Sequence, residues 1–174
     1  MKSIYLSLAL IFLTSCIAST PKTSNEVYLG VKVTEDKFKD QKWLESEIYS
    51  GTGGTMVANF PARIFYRALY EKNELQYIQL YTIVAFTSWR FIHSATSEDG
   101  VELDFHEIDR SVGSGTVTEH FAISLSKSDL IKMAKKNWQI KYYGKKGDGV
   151  EIVPKFLTEG FLKKLNCFSS NSCK

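Results

Sequence analysis

Apolar and polar residues alternate along much of this chain, a period-2 pattern typical of strands with one buried face. The pattern is clearest in Arg63–Tyr70 and Leu75–Phe86, two runs on either side of the polar turn Glu71–Glu74. Together they predict a β-hairpin. The even-numbered apolar residues between Ile78 and Phe86 fall on one face, and we expect that face to be buried.

Further strands are predicted on both sides of this hairpin. The β-rich segments are Val27–Val33, Ser88–Ala95, Val101–His106, Thr116–Leu125, Trp138–Tyr143 and Val150–Val153, and Trp43–Tyr49 fits a strand or a helix. An Asp-Gly dipeptide at 99–100 and a Gly-Ser-Gly sequence at 113–115 predict turns that join three or four strands into an antiparallel meander.

Two short helices are predicted in the C-terminal third. The first runs from Ser126 to about Lys136, because Ser126 and Asp129 have the spacing of a capping box. Its apolar stripe comprises Leu130, Ile131 and Ala134. The second follows Pro154 and reaches Leu165. Consecutive strands with few helical crossovers predict an α+β fold with a mainly antiparallel sheet.

The N-terminus has the order of features found in a secretory signal. Lys2 precedes the apolar run Ile4–Leu13, which is too short for the roughly 20 residues that a membrane-spanning helix needs. The run ends in Leu13-Thr14-Ser15-Cys16. This sequence resembles the lipobox of bacterial lipoproteins.

The resemblance implies how the N-terminus is processed and where the protein resides. Residues 1–15 would be a signal peptide, and Cys16 would be diacylated on its sulfur and become the new N-terminus. Two or three acyl chains anchor a protein stably in a membrane. Ile17 stands where retained inner-membrane lipoproteins carry Asp, which implies the periplasmic face of the outer membrane in a bacterium with two membranes.

One folded domain is predicted after the anchor. Residues 16–26 read as the lipidated cysteine and a flexible tether, 27–166 as a single α+β domain, and 167–174 as a tail. If Cys16 is lipidated, Cys167 and Cys173 remain as an even pair in an oxidising compartment, which favours a disulfide over two free thiols.

Charge is unevenly distributed along the chain. The net charge of +3 is too small to indicate a nucleic-acid partner. Residues 16–126 contain 10 Lys/Arg against 15 Asp/Glu, whereas 127–174 contain 11 against 4. If the two segments form separate surfaces, the molecule has an electrostatic dipole that steers a partner. The candidate basic surface comprises Lys132, Lys135, Lys136, Lys141, Lys145 and Lys146, and its alternative is an ordinary solvated face.

The strongest candidate for chemistry is a set of histidines with one acid. Asp104 and His106 are two apart on a predicted strand, and a hairpin centred near Gly113 would bring His120 close to them, with His93 on a neighbouring strand. Such a set is a candidate for holding a metal or for general-base catalysis. The alternative is a set of histidines on a solvated sheet face. No compact metal or cofactor motif occurs, and we expect no cofactor.

Aromatic residues are frequent, at 13% of the chain. Cross-strand packing in the core is the first interpretation, and a groove or interface is the alternative. The set comprises Tyr66, Tyr70, Tyr77, Tyr81, Trp89, Tyr142 and Tyr143.

These features predict a lipid-anchored envelope protein that binds another protein in an accessory or scaffold role, without catalysis. One alternative is an inhibitor or immunity lipoprotein that blocks an envelope-targeted enzyme. Its acids at Glu102, Asp104, Glu107 and Asp109 would then enter a basic active site. The other alternative is an envelope hydrolase that uses the histidine set.

Overall fold

The protein folds into ten strands and three helices within residues 21–50, 62–113, 115–170 and 172–173, which are the residues that this computed structural model describes. The elements are α1 (Ser24–Gly30), β1 (Lys32–Asp36), β2 (Gln41–Glu45), β3 (Tyr49–Ser50), β4 (Ala62–Glu71), β5 (Glu74–Phe86), β6 (Ile92–Ser97), β7 (Asp104–Gly113), β8 (Thr116–Leu125), α2 (Lys127–Met133), β9 (Trp138–Gly144), β10 (Gly149–Val153) and α3 (Lys155–Ser169). The predicted signal peptide and Cys16 lie outside the described residues.

Seven strands form the larger sheet. Its order is β1-β2-β4-β5-β8-β7, with β3 paired to β4, and every pair is antiparallel. The hairpin of β4 and β5 forms its centre, and the hairpin of β7 and β8 extends it to one edge. The α+β class with a mainly antiparallel sheet is therefore confirmed, as is the hairpin predicted between residues 63 and 86.

A smaller sheet, with the order β10-β9-β6, continues from the edge of the larger one. The amide of Leu103 donates to the Ala95 carbonyl and the amide of Ser97 donates to the Val101 carbonyl, both at 2.9 Å. These bonds pair β6 with the segment that leads directly into β7. The two sheets therefore meet where the chain passes from 101 to 104.

A buried glutamate fixes the start of the smaller sheet. The carboxylate of Glu119, which is 2% exposed, accepts the backbone amides of Arg90 at 2.7 Å, Phe91 at 2.9 Å and Ile92 at 2.8 Å. The guanidinium of Arg110 lies 3.8 Å from it. A buried carboxylate is stable when its oxygens accept such donors, so Glu119 ties β8 to the residues that open β6.

The core lies between the sheets and the C-terminal helix. Phe161 of α3 stacks on Tyr66 with ring centroids 5.1 Å apart, and Phe168 meets Tyr70 edge-on at 5.0 Å. Pro154 occupies the N-cap of α3, so the helix predicted after this residue is confirmed. The helix α3 thus contributes Leu157, Phe161 and Leu165 to the core cluster built mainly from strand residues.

The opening segment Val27–Val33 was predicted as a strand, and this was wrong for Val27–Gly30, whereas Lys32 and Val33 do belong to β1. The chain is helical to Gly30, with the Thr23 side chain capping the helix. Val27 is buried against Gly160, where an added Cβ would lie only 2.6 Å from the Cβ of Val27. Packing of α1 on α3 thus overrides the strand preference of the local residues.

Two strand boundaries also differ from the prediction. β6 begins at Ile92 instead of Ser88, and β7 begins at Asp104 instead of Val101. Phe91 has a φ of 57°, a left-handed conformation that cannot continue a strand. The carboxylate of Glu119 holds the residues around it in this turn.

The capping box predicted for α2 is confirmed, because the side chains of Ser126 and Asp129 each accept the other's backbone amide. The apolar stripe differs from the prediction. Leu130 and Met133 are buried, whereas Ile131 is 46% exposed. With only seven residues, α2 presents a narrow buried face.

Both ends of the domain pack together. α1 begins at Ser24, inside the stretch predicted as a tether, and α3 continues past 166 to Ser169. A disulfide joins Cys167 to Cys173, whose Cα atoms lie 5.1 Å apart. The Tyr28 hydroxyl is 3.4 Å from Sγ of Cys167. In the described part of the chain, no helix has the length and apolar character to cross a membrane.

Candidate functional site

The outer face of the larger sheet carries a cluster of aromatic side chains around one arginine. Strand alternation buries Ile64, Tyr66 and Ala68 of β4 in the core, so Phe65 and Arg67 point to the opposite side. We call this surface the aromatic face, and define it by Trp43, Phe65, Arg67, Tyr77, Tyr81 and His120.

Arg67 is held in a fixed position at the centre of the aromatic face. Its guanidinium lies over the ring of Tyr81 at 4.6 Å and over the ring of Trp43 at 5.5 Å. Nε and one terminal nitrogen both donate to Oε1 of Gln79, at 2.9 and 2.7 Å. Within the described residues Arg67 has no ion-pair partner within 4 Å, although Glu45 is its cross-strand neighbour, so its guanidinium can still bind a ligand.

The rings of the aromatic face support one another. Phe65 stacks on Tyr81 at 4.8 Å, and Trp43 meets Tyr77 edge-on at 5.8 Å. Partial burial raises the pKa of both Tyr77 and Tyr81, and the nearby positive charge of Arg67 opposes this rise. Both phenols are therefore neutral at physiological pH. Half-buried Tyr77 acts as apolar surface with a polar tip, whereas Tyr81 is only 8% exposed and packs with Ile83, Ala122 and Phe65 beneath the aromatic face.

A shallow depression opens beside Arg67. It has a volume of about 220 Å³ and is lined by Thr34, Trp43, Glu45 and Arg67. A depression next to an aromatic ring and a fixed guanidinium has the size and chemistry to receive one side chain of a partner.

The predicted histidine set is only partly assembled. Nε2 of His106 lies 3.2 Å from Asp104 Oδ2 and 2.8 Å from the hydroxyl of Ser124. A serine nucleophile activated by histidine needs the hydroxyl on one ring nitrogen and the carboxylate on the other. Here both contacts use the same nitrogen, so Asp104 does not orient His106 as a base for Ser124.

The other two histidines do not join this group. Nδ1 of His120 is hydrogen-bonded to the Tyr81 hydroxyl at 3.1 Å, and Nδ1 of His93 lies 3.2 Å from the Phe91 carbonyl. His120 pairs with Asp109, not with His106. The hairpin centre expected near Gly113, which was to bring His120 close to His106, was therefore wrong, because Gly113 itself pairs with Thr116.

The register of the hairpin explains this separation. Gly113 pairs with Thr116, so the hairpin turns after Gly113 and is not centred on it, and His120 lies opposite Asp109 while His106 lies opposite Ala122. Over the described residues, no three or more His, Cys, Asp or Glu side chains are grouped to hold a metal ion.

The lysines of the candidate basic surface are all exposed, and three of the six pair with nearby acids. The ion pairs are Lys132–Asp129 at 3.9 Å, Lys136–Glu98 and Lys141–Asp148 at 3.5 Å. The contact between Lys136 and Glu98 brings the basic segment against the acidic one. The two segments therefore do not form fully separate surfaces, which weakens the predicted dipole.

The sequence pattern predicted only part of the aromatic face. Alternation in β5 places Tyr77 and Tyr81 on the side opposite Ile78 and Leu80. Of the other aromatic residues singled out, Tyr66, Tyr70 and Tyr142 are buried in the core, as the first interpretation expected. Arg67 was missed, because its position depends on which strands neighbour β4.

Comparisons with family models and with curated proteins gave no match to this chain.

Proposed function

We propose that this chain is a lipid-anchored protein of the bacterial envelope that binds another protein through the aromatic face, in an accessory or scaffold role without catalysis. The lipobox-like sequence ending in Cys16 supports the anchor and a location at the periplasmic face of the outer membrane. The binding role is carried by one observation, the fixed guanidinium of Arg67 between the rings of Trp43 and Tyr81.

The composition of this face supports a protein partner. Trp, Tyr and Arg are the residue types that contribute most to binding energy at protein interfaces. Arg67 is already immobilised by Gln79, so little side-chain entropy is lost when a partner binds. Its unpaired charge favours a partner that presents a carboxylate inside an apolar rim.

The proposal is tested by crosslinking followed by measured affinity. A photoreactive amino acid at Tyr77 should capture one envelope protein in living cells, and the same probe at exposed Leu29, on α1, should not. The captured protein is then purified and its affinity for the chain measured. Arg67→Ala should weaken binding by about 30-fold, the size expected for an interface residue worth about 2 kcal/mol.

Arg63→Ala is the matched control, because Arg63 lies on the same strand and side but outside the aromatic face. It should leave the affinity within about twofold. Equal capture from Leu29 and Tyr77, or unchanged affinity for Arg67→Ala, would refute the proposal. If the partner is an enzyme, loss of its activity in the complex identifies the inhibitor form of this function.

A further inference from the structure

A second concave site lies away from the aromatic face, between α2, the start of β9 and residues 97–104. Its volume is about 320 Å³, within the range of small-ligand pockets. Val101, Leu103, Met133 and Trp138 provide apolar lining. The cavity therefore offers apolar surface from Val101, Leu103 and Trp138, with the buried Met133 beneath them.

The acidic side chains at this cavity outnumber the basic ones. Asp99, Glu102, Asp104 and Asp129 line it, against Lys132 and Lys136. Both lysines have acidic partners, because Lys136 pairs with Glu98 from outside the cavity and Lys132 lies 3.9 Å from Asp129. Their charges are thus compensated locally.

Asp99 and Glu102 decide which sign of ligand charge this cavity favours. Neither Asp99 nor Glu102 has a cationic partner within 4 Å among the residues that the structure describes, although Asp99 lies near enough to Lys136 to help raise the pKa of that lysine. A negative rim beside an apolar wall favours a cation with an apolar body and disfavours an anion.

We infer that this cavity binds a small aliphatic amine as its alkylammonium ion. The alkyl chain packs against Trp138 and Leu103, and the ammonium group lies at Asp99 and Glu102. None of these residues belongs to the aromatic face, so this inference is independent of the proposed protein partner and can be tested separately.

The test uses the full chain in nonionic detergent micelles and three ligands of equal length. Pentylamine is titrated while the indole N–H resonance of Trp138 is followed by NMR, after assignment with Trp138→Phe. Pentanol is the neutral comparison and pentanoate the anionic one. We expect a saturable shift with pentylamine, weaker binding of pentanol, and no binding of pentanoate.

Variants connect the binding to the acids. Glu102→Gln should raise the Kd for pentylamine about fivefold, the size typical of an exposed charge pair, and Asp99→Asn should act in the same direction. Glu107→Gln is the matched control, because Glu107 pairs with Arg110 outside the cavity at 2.8 Å. Its Kd should stay within about twofold of the unmodified chain.

Four results would overturn the inference: no saturable shift, equal affinity for pentanol and pentylamine, preference for pentanoate, or an unchanged Kd in both Glu102→Gln and Asp99→Asn. Arg67→Ala should bind pentylamine as the unmodified chain does. A failure at this cavity is thereby separated from a failure of the aromatic face.

Discussion

At the scale of single residues, Glu151 is the least satisfied side chain in the described core. It is fully buried on β10, and neither carboxyl oxygen has a hydrogen-bond partner among the described residues. Burial raises its pKa to about 8, and the nearby amide of Ile152 only partly opposes this rise. The carboxyl is therefore mostly protonated at neutral pH, and its ionisation works against the fold.

We expect the stability of the protein to fall as the pH rises. Between pH about 4.5 and about 8 the folded protein retains the Glu151 proton that the unfolded chain has lost, so the free energy of unfolding decreases across this range. Glu151→Gln, a neutral side chain of similar shape, should remove this part of the pH dependence. Urea unfolding at pH 5, 7 and 9 measures it.

The outcome at high pH is decisive for Glu151. At pH 9 Glu151→Gln should be more stable than the unmodified chain, and at pH 5 the two should be similar. Glu35→Gln, on the exposed strand β1, serves as the control and should keep the pH dependence of the unmodified chain. An identical pH profile for Glu151→Gln and the unmodified chain would contradict the expectation.

At the scale of elements, the contact between α1 and α3 depends on the absence of a side chain at Gly160. An added Cβ would lie 2.4 Å from the Ser24 carbonyl oxygen and 2.6 Å from the Cβ of Val27. Gly160→Ala should therefore destabilise the protein by about 1–3 kcal/mol through overpacking, although alanine is the better helix former by about 1 kcal/mol. Thermal unfolding measures the loss, and amide exchange of residues 24–30 locates it.

A matched glycine tests whether the effect comes from this contact. Nothing lies within 4 Å of a Cβ built on Gly113, so Gly113→Ala should change stability by less than about 1 kcal/mol. If Gly160→Ala were as stable as the unmodified chain, with unchanged exchange in α1, the close packing of the two helices would not hold.

The same contact shows which elements a sequence can predict. The hairpin of β4 and β5 was predictable because its alternation and its turn lie within one short stretch. α1 was not, because the partner that buries Val27 is Gly160, 133 residues later in the chain. The position of His120 was not predictable for a different reason, since the partner of each residue depends on where the hairpin turns, and Gly113, the expected centre, itself pairs with Thr116.

At the scale of the whole molecule, the candidate site could be predicted only by someone who knew the order of the strands in the sheet. Tyr77 and Tyr81 could be assigned to one face from β5 alone. The approach of Arg67 to both Trp43 and Tyr81 follows from β4 lying between β2 and β5, which no local pattern contains. The contact between the acidic and basic segments was unpredictable for the same reason, because Lys136 and Glu98 are distant in sequence.

The proposed lipid anchor at Cys16 would determine how this molecule meets its partner. Seven residues separate Cys16 from the start of α1 at Ser24, a reach of at most about 25 Å when extended. A domain held this close to a membrane meets envelope partners at raised effective concentration.

If Cys16 carries the anchor, Cys16→Ala should move the protein from the membrane fraction to the soluble fraction, and mass spectrometry of the unmodified chain should find acyl chains on Cys16. Cys173→Ala, which removes the disulfide only, should remain in the membrane fraction. Membrane retention of Cys16→Ala would show that lipid on this residue is not what holds the protein there, and the short reach from Cys16 would then no longer bring the aromatic face near its partner.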